Sequence, residues 1–344
     1  MKSLYDLSEK ITEQEYRDIP AYSYSILSKF NREGFDCLST LYDKIDTPSI
    51  TFGSVVDTLL TEGSASFDTK FIVSNNISVS STIEQIVYSL FDKYNTIYSK
   101  LEDIPDEIIS EEGILAEYYV DSKYNNSRVK KIRNEGSELY NFLYLAKDKK
   151  IISETCYRDA LKCVDALKKD PTISHYFEDS QFNTTIEKFY QLKFKGEYDG
   201  IPLKMMADLI IVNHEDKVII PCDLKTTSKK EWKFYESFVK YGYWIQAQLY
   251  WYILNSIISK DDFYKDYTLL DFRFIVINRE SLSPLIWVYS GTTNTETSIF
   301  GKNKEYTLTN WRSILKDLVY YQENPSDFPI GIKKVNDIVE WLDK

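Results

Sequence analysis

The chain has 344 residues, 43% apolar and 28% charged, with a formal net charge of −11, a balance that belongs to a folded globular protein with a substantial core. It contains no run of eighteen apolar residues, and its first residues, MKSLYDLSEKITEQEYRD, hold no signal-type apolar stretch, so a cytoplasmic protein without a membrane span is expected. Two histidines (His175, His214) and four scattered cysteines (Cys37, Cys156, Cys163, Cys222) are too few for a His-based zinc site or a His-dependent triad, which leaves carboxylates, lysine and metal to carry any chemistry.

In chain order, residues 22–45 read as a helix with Ile26, Leu27, Phe30 and Leu38 buried. In TPSITFGSVVDTLLTEG a helix is expected from about Phe52 to Leu60, with Asp57 inside its apolar stretch. Residues 80–165 look mostly helical, 80–150 as an insert-like region, and the polar stretch 120–135 reads as an exposed loop or mobile arm. SETCYRDALKCVDALKK (153–169) reads as a capped helix stopped by Pro171. The period then changes from helix to strand. Residues 186–194, 206–212 and 217–225 predict three strands joined by the turns GEYDG and NHED, followed by an aromatic-rich helix over 231–258. Strands at 272–278 and 284–290 and a helix from about Leu308 to Tyr321 complete the order. The expectation is an α/β or α+β fold with a helical N-terminal portion, as one domain over 1–344 with its core in 186–290.

The chemistry-bearing residues form a constellation. Asp208 lies near the start of MADLIIV and Asp223 near the end of KVIIPCDLK. Lys225 follows Asp223 by two, so both side chains point to one face of a strand. Charges among Val218, Ile219, Ile220 and Leu224 are costly to bury unless paired or bound to metal. Alone, such a DxK is most simply an ion pair at a strand edge. Its neighbours argue for more. Gln246 and Tyr250 stand four apart on one helix face of YGYWIQAQLYWYIL, and Asp57 is a charge within FGSVVDTLL. Residues 225–240 hold five lysines and two glutamates, a local +3, whereas 102–117 hold acids and no Lys or Arg. A lysine run is commonly a solvated face, but this one begins at the DxK.

Taken together, MADLIIV, DLKTT and YGYWIQAQLY resemble the PD-(D/E)XK nuclease superfamily. More narrowly they resemble the phage and prophage RecE-like exonucleases (exonuclease VIII type), which share the RecB-family Q-x-x-x-Y helix. FGSVVDTLL with FDTKFIV resembles that group's entry helix, FGxxxH-like in many members. The resemblance runs over most of residues 20–325 and is strongly diagnostic only over 204–252. It implies a restriction-endonuclease-like core, a central mixed sheet flanked by helices. It also implies a Mg²⁺- or Mn²⁺-dependent, ATP-independent 5′→3′ exonuclease on double-stranded DNA, serving recombination or phage DNA processing.

Position by position, the resemblance makes Asp208 the acid of "PD" and Asp223 the second acid, both metal ligands. Leu224 would offer its backbone carbonyl to the metal, and Lys225 would position or activate the attacking water. Gln246 and Tyr250 would support the site and contact DNA. Asp57 falls where many members have a metal-binding His, a change that favours hard Mg²⁺ or Mn²⁺. Ala207 replaces the proline, and Glu187 matches an upstream acid. One or two ions would clamp the scissile phosphate, with the Lys225 charge beside it. Lys229, Lys230, Lys233 and Lys240 would touch the DNA backbone without base selectivity. The resemblance also implies a ring-shaped homo-oligomer that hands its strand to a single-strand annealing protein; such a ring, with lysines inside and acids outside, would reconcile the net charge of −11 with DNA binding.

Alternatives divide by class. Iron–sulfur relatives need three cysteines near the C-terminus, and none follows Cys222; no G-x-x-x-x-G-K-[ST] occurs, so no ATP-driven step is expected. An inactive DNA-binding or assembly subunit of the same fold, an endonuclease, and a carbohydrate-active enzyme using paired carboxylates remain as competing expectations.

Overall fold

A computed structural model of the protein describes residues 3–43, 45–74, 77, 79–178, 185–290, 297–300 and 305–325. The chain runs through α1 (Glu13–Asp18), α2 (Tyr24–Glu33), α3 (Pro48–Thr61), α4 (Ser64–Lys70), β1 (Phe71–Ser74), α5 (Ser81–Tyr94), α6 (Asp106–Leu115), α7 (Asn125–Ala146), β2 (Lys150–Ser153) and α8 (Glu154–Lys169). It continues with β3 (Ile186–Tyr198), β4 (Ile201–Asn213), β5 (Val218–Thr227), α9 (Phe234–Lys240), α10 (Tyr243–Ile258), β6 (Thr268–Leu269), β7 (Phe272–Asn278), β8 (Leu285–Tyr289), β9 (Thr297–Phe300), β10 (Glu305–Leu308) and α11 (Trp311–Glu323). Among the described residues no helix is long and apolar enough to cross a membrane.

Two compact units result, one from residues 1–61 with 162–344 and one from 62–161. The second holds a parallel β1–β2 pair and a helical core of Ile83, Ile86, Val87, Leu90, Ile132 and Leu139. In it, α7 covers most of the stretch expected as an exposed loop. Val129, Ile132 and Tyr140 supply its buried face, and Gly136 lets it close on α5, since a Cβ there would meet Val87 Cγ2 at 2.6 Å. Most of the polar residues of 125–135 lie on that helix's outer side, Arg128 being buried with the apolar face.

The first unit carries a mixed sheet in the order β3-β4-β5-β7-β8, with β6 also on β5. The expected α+β architecture is what forms. β5 sits centrally, antiparallel to β4 and parallel to β7. β3 and β4 make a long hairpin closed by Asp199 (φ 52°) and Gly200 (φ 78°), the paired positive φ of a two-residue turn that matches strand twist. Helices α2, α10 and α11 bury Leu27, Phe30, Ile245, Leu249, Ile253, Trp311 and Leu315 against Leu203, Met205, Phe274 and Val276 of the sheet.

Two expected helices are divided by glycine. Gly34 (φ 65°) ends α2 and starts a 3-10 turn, so 22–45 is not one helix. Gly242 (φ 64°, ψ 41°) takes the left-handed conformation and separates α9 from α10 within 231–258. α3 begins at Pro48, four residues before the expected start, as suits proline at a helix's first turn.

Candidate active site

The β4–β5 ladder ends at the pair Leu209–Cys222, and the same register brings Asp208 and Asp223 opposite each other one step further. The sheet is irregular there. Positions packed into the core are Leu203, Met205 and Ala207 before Asp208, then Ile210 and Val212 after it, so the period of two slips at the aspartate. β3 slips at the facing position: Gln191 has φ 54° and is skipped in an otherwise continuous pairing. Where the backbone ladder stops, a side chain continues it, because Asp208 Oδ2 accepts the Leu224 N–H at 3.1 Å.

Asp223 is almost wholly buried. Its Oδ2 lies 2.6 Å from Lys225 Nζ, and Gln246 Nε2 donates to its Oδ1 at 2.5 Å. Burial pushes Asp208 well above the ordinary carboxylate range, and the charges of Asp223 and Asp57 push the same way against the weaker pull of Lys225. Lys225 is raised. Burial works against its charge, yet Asp223, Tyr243, Tyr24 and Asp208 outweigh that cost. The Tyr243 ring sits 4.6 Å from its ammonium. Tyr250 is buried close enough to both aspartates to feel them; burial first, then Tyr16, Asp223 and Asp208, raise its hydroxyl well above the usual value.

α3 delivers Asp57. Gly53, one turn earlier, lets the helix approach β5 so closely that a Cβ would lie 3.3 Å from Thr226 Oγ1. Gln191 Nε2 then donates to Asp57 Oδ2 at 2.7 Å. Three carboxylates therefore share one electrostatic environment with the Lys225 ammonium. The donors are all hard oxygens, which suits Mg²⁺ or Mn²⁺, and the repulsion that raises Asp208 is what a dication would relieve. Gln246 Oε1 is also buried without a hydrogen-bond partner. Among the described residues, however, no three His, Cys, Asp or Glu side chains are grouped to hold a metal ion, so the carboxylates share a field rather than a common point.

Asp57, Asp208, Asp223, Leu224, Lys225, Gln246 and Tyr250 are thus brought together. Glu187 is not. It pairs with Val212, four residues along β4 from Asp208, and its Oε2 lies 2.9 Å from Nε2 of His214, whose Nδ1 meets the Tyr267 hydroxyl at 2.8 Å. Its acid is engaged away from the cluster. Of the lysines after β5, Lys229 is tied to Glu236 at 2.5 Å, which reduces the charge it offers a phosphate. Lys230, Lys233 and Lys240 make no ion pair among the described residues. Sequence reasoning missed Gln191, Tyr24 and Tyr243. A glutamine in an apolar strand was the visible signal for the first, and the cluster YGY before the Q-x-x-x-Y pair for the last.

No family model matches the sequence, and no curated protein does. Among solved structures the chain is similar to a crystal structure of a protein from Eubacterium rectale provisionally described as an exonuclease, at 14% identity over 74% of this chain and 85% of that one, with a TM-score of 0.28.

Proposed function

We propose that the protein is a metal-dependent deoxyribonuclease of the PD-(D/E)XK type. Within that class we favour an ATP-independent, RecE-like 5′→3′ exonuclease on duplex DNA, acting in the cytoplasm in recombination or phage DNA processing. One observation carries this: Asp208 and Asp223 face each other where the β4–β5 ladder ends, with Lys225 2.6 Å from Asp223 and Asp57 within electrostatic reach. Asp208 and Asp223 with the Leu224 carbonyl would hold a divalent ion, Asp57 would have to be drawn in from its place in the same field to join them, and the ion would supply Lewis-acid activation at the scissile phosphate. Lys225 keeps its positive charge beside that position and stabilises the negative charge that builds as the phosphodiester is attacked. Gln246 fixes Asp223 from behind. Lys230, Lys233 and Lys240 supply contacts to the DNA backbone. A ring-shaped oligomer and a single-strand annealing partner belong to the same proposal.

The test is digestion of end-labelled linear duplex against closed circular duplex, with Mg²⁺ or Mn²⁺, for the parent and Asp223→Asn. Loss of linear DNA alone, abolished in the variant, is the expected result. Equal attack on circles would replace the exonuclease with an endonuclease of the same fold. A second reading, an inactive DNA-binding or assembly subunit, is favoured by the engagement of both Asp223 oxygens by Lys225 and Gln246. Calorimetric titration with Mn²⁺ separates the two, because a silent site binds the ion feebly.

A further inference from the structure

Tyr241 is 40% exposed, yet its backbone is among the most tightly held near the candidate site. Its carbonyl accepts the Tyr24 hydroxyl at 2.8 Å and Ser28 Oγ at 2.6 Å, and its N–H bonds to Ser237 O at 2.9 Å. Gly242, next in the chain, is confined to its left-handed turn, where a Cβ would stand 3.1 Å from Ile245 Cδ1. The ring leaves this anchored turn toward solvent while its centroid stays 5.7 Å from that of Tyr243. Tyr243 in turn stacks on buried Phe234 at 5.5 Å and has Lys225 Nζ at 4.6 Å. Tyr241 is therefore the outermost ring of an aromatic row whose inner member touches the site lysine.

Cations lie along this row. Lys240 Nζ lies 5.3 Å from the Tyr241 ring centre, and Arg32, which also pairs with Glu33, donates to Ser28 Oγ at 2.8 Å. A fixed, exposed aromatic ring loses little entropy on stacking, and a base offers it a matching π-face. Positive charge at the ring and near its anchoring turn selects a stacking partner that carries phosphates. A neutral sugar or an apolar peptide would have no use for it.

Building on the nuclease reading, we propose that Tyr241 is the stacking platform for a nucleobase of the DNA strand end presented to the Asp208–Asp223–Lys225 cluster. Lys240 and Arg32 pair with the flanking phosphates. The platform gives the protein a hold on an unpaired terminal base that is independent of metal and of sequence.

The experiment measures binding of a fluorescent duplex with a short single-stranded overhang to the full chain, by anisotropy at fixed salt with EDTA present. Tyr241→Ala and Tyr241→Leu should each weaken binding by about 5- to 100-fold, while Tyr241→Trp, which keeps the π-face, should bind at least as tightly as the parent. With abasic residues in the overhang the parent should lose a similar factor and Tyr241→Ala should lose no more. The inference is overturned if Tyr241→Ala and Tyr241→Leu bind like the parent, or if their deficit persists undiminished on the abasic strand. A parent chain with no affinity for any DNA end would instead bring down the nuclease reading and the platform with it. Melting curves of the Trp and Leu variants separate a lost platform from a lost fold.

Discussion

Replacing Asp208 by asparagine should make the metal-free protein more stable. The substitution keeps the side chain's shape and an oxygen for the Leu224 N–H, while removing a charge that burial, Asp223 and Asp57 all oppose. Two carboxylates directly opposite on antiparallel strands sit roughly 5–6 Å apart. At an effective dielectric of about 20 their repulsion is about 3 kcal/mol. The attraction of Lys225 and the stronger bond a charged oxygen makes to the Leu224 N–H offset part of it. The net gain is then about 1–2 kcal/mol, or roughly 1–3 °C in Tm for a chain of this length. The pH dependence has a definite sign. An acid whose pKa is higher folded than unfolded leaves the native chain holding more protons, so its contribution is full below the ordinary carboxylate value and is lost as pH rises through the raised one. The variant should therefore melt like the parent near pH 4 and above it at pH 8, in EDTA. Saturating Mn²⁺ should reverse the order, because a ligand at 100 times its Kd adds about 2.7 kcal/mol to a chain that binds it and little to one that has lost a carboxylate ligand. A variant less stable than the parent at pH 8, or equally stabilised at pH 4, would refute the repulsion argument.

Gln191→Ala should release Asp57, and calorimetry should show Mn²⁺ affinity falling about tenfold with the metal-free Tm little changed; unchanged affinity would mean Asp57 is not held by that amide. Gln246→Ala removes the donor to Asp223 Oδ1 inside the core and should cost about 1–3 kcal/mol in urea unfolding at neutral pH. Lys204, whose ammonium bonds the carbonyls of Tyr16, Arg17 and Ile19 at 3.0, 2.8 and 2.8 Å, fastens the end of α1; Lys204→Met should cost about 2–3 kcal/mol while Mn²⁺ affinity stays at the parent's value.

The elements that bury one face were legible in the sequence. FRFIVIN forms a strand over the expected residues, and β3 to β5 form over the segments expected for them, although each runs longer. The aspartates, Lys225, Gln246 and Tyr250 were legible as a set because each is a polar or tapered side chain inside an apolar period. What escaped was decided by backbone conformation or tertiary contact. Gly34 and Gly242 end helices whose side-chain pattern continues past them, and a periodicity argument does not weigh φ. α7 escaped because its buried residues are spaced among lysines and asparagines. Glu187 lies apart from the acid cluster because strand alternation says which face a residue takes, but not how far along the strand its neighbours fall.

That the site lies where the sheet loses its regularity follows from the accounting of backbone polar groups. A buried strand whose partner stops pairing leaves a donor that something else must satisfy. At this point Asp208 supplies the acceptor for Leu224, and the residue facing Asp208, Gln191, has turned into a left-handed conformation that a non-glycine adopts at a cost of order 1–3 kcal/mol. The same turn leaves the Gln191 amide bonded to Asp57. Restoring a regular ladder through 191 and 208 would recover that cost, but it would take Asp208 off the Leu224 amide and Gln191 off Asp57, dispersing the acids that repel one another in the metal-free chain. A Gln191→Gly variant isolates the two effects: it should relieve the backbone strain and raise stability, yet still lose Mn²⁺ affinity because the donor to Asp57 is gone. If it gained stability and kept its affinity, the slip would be a packing accident beside the site rather than the device that assembles it.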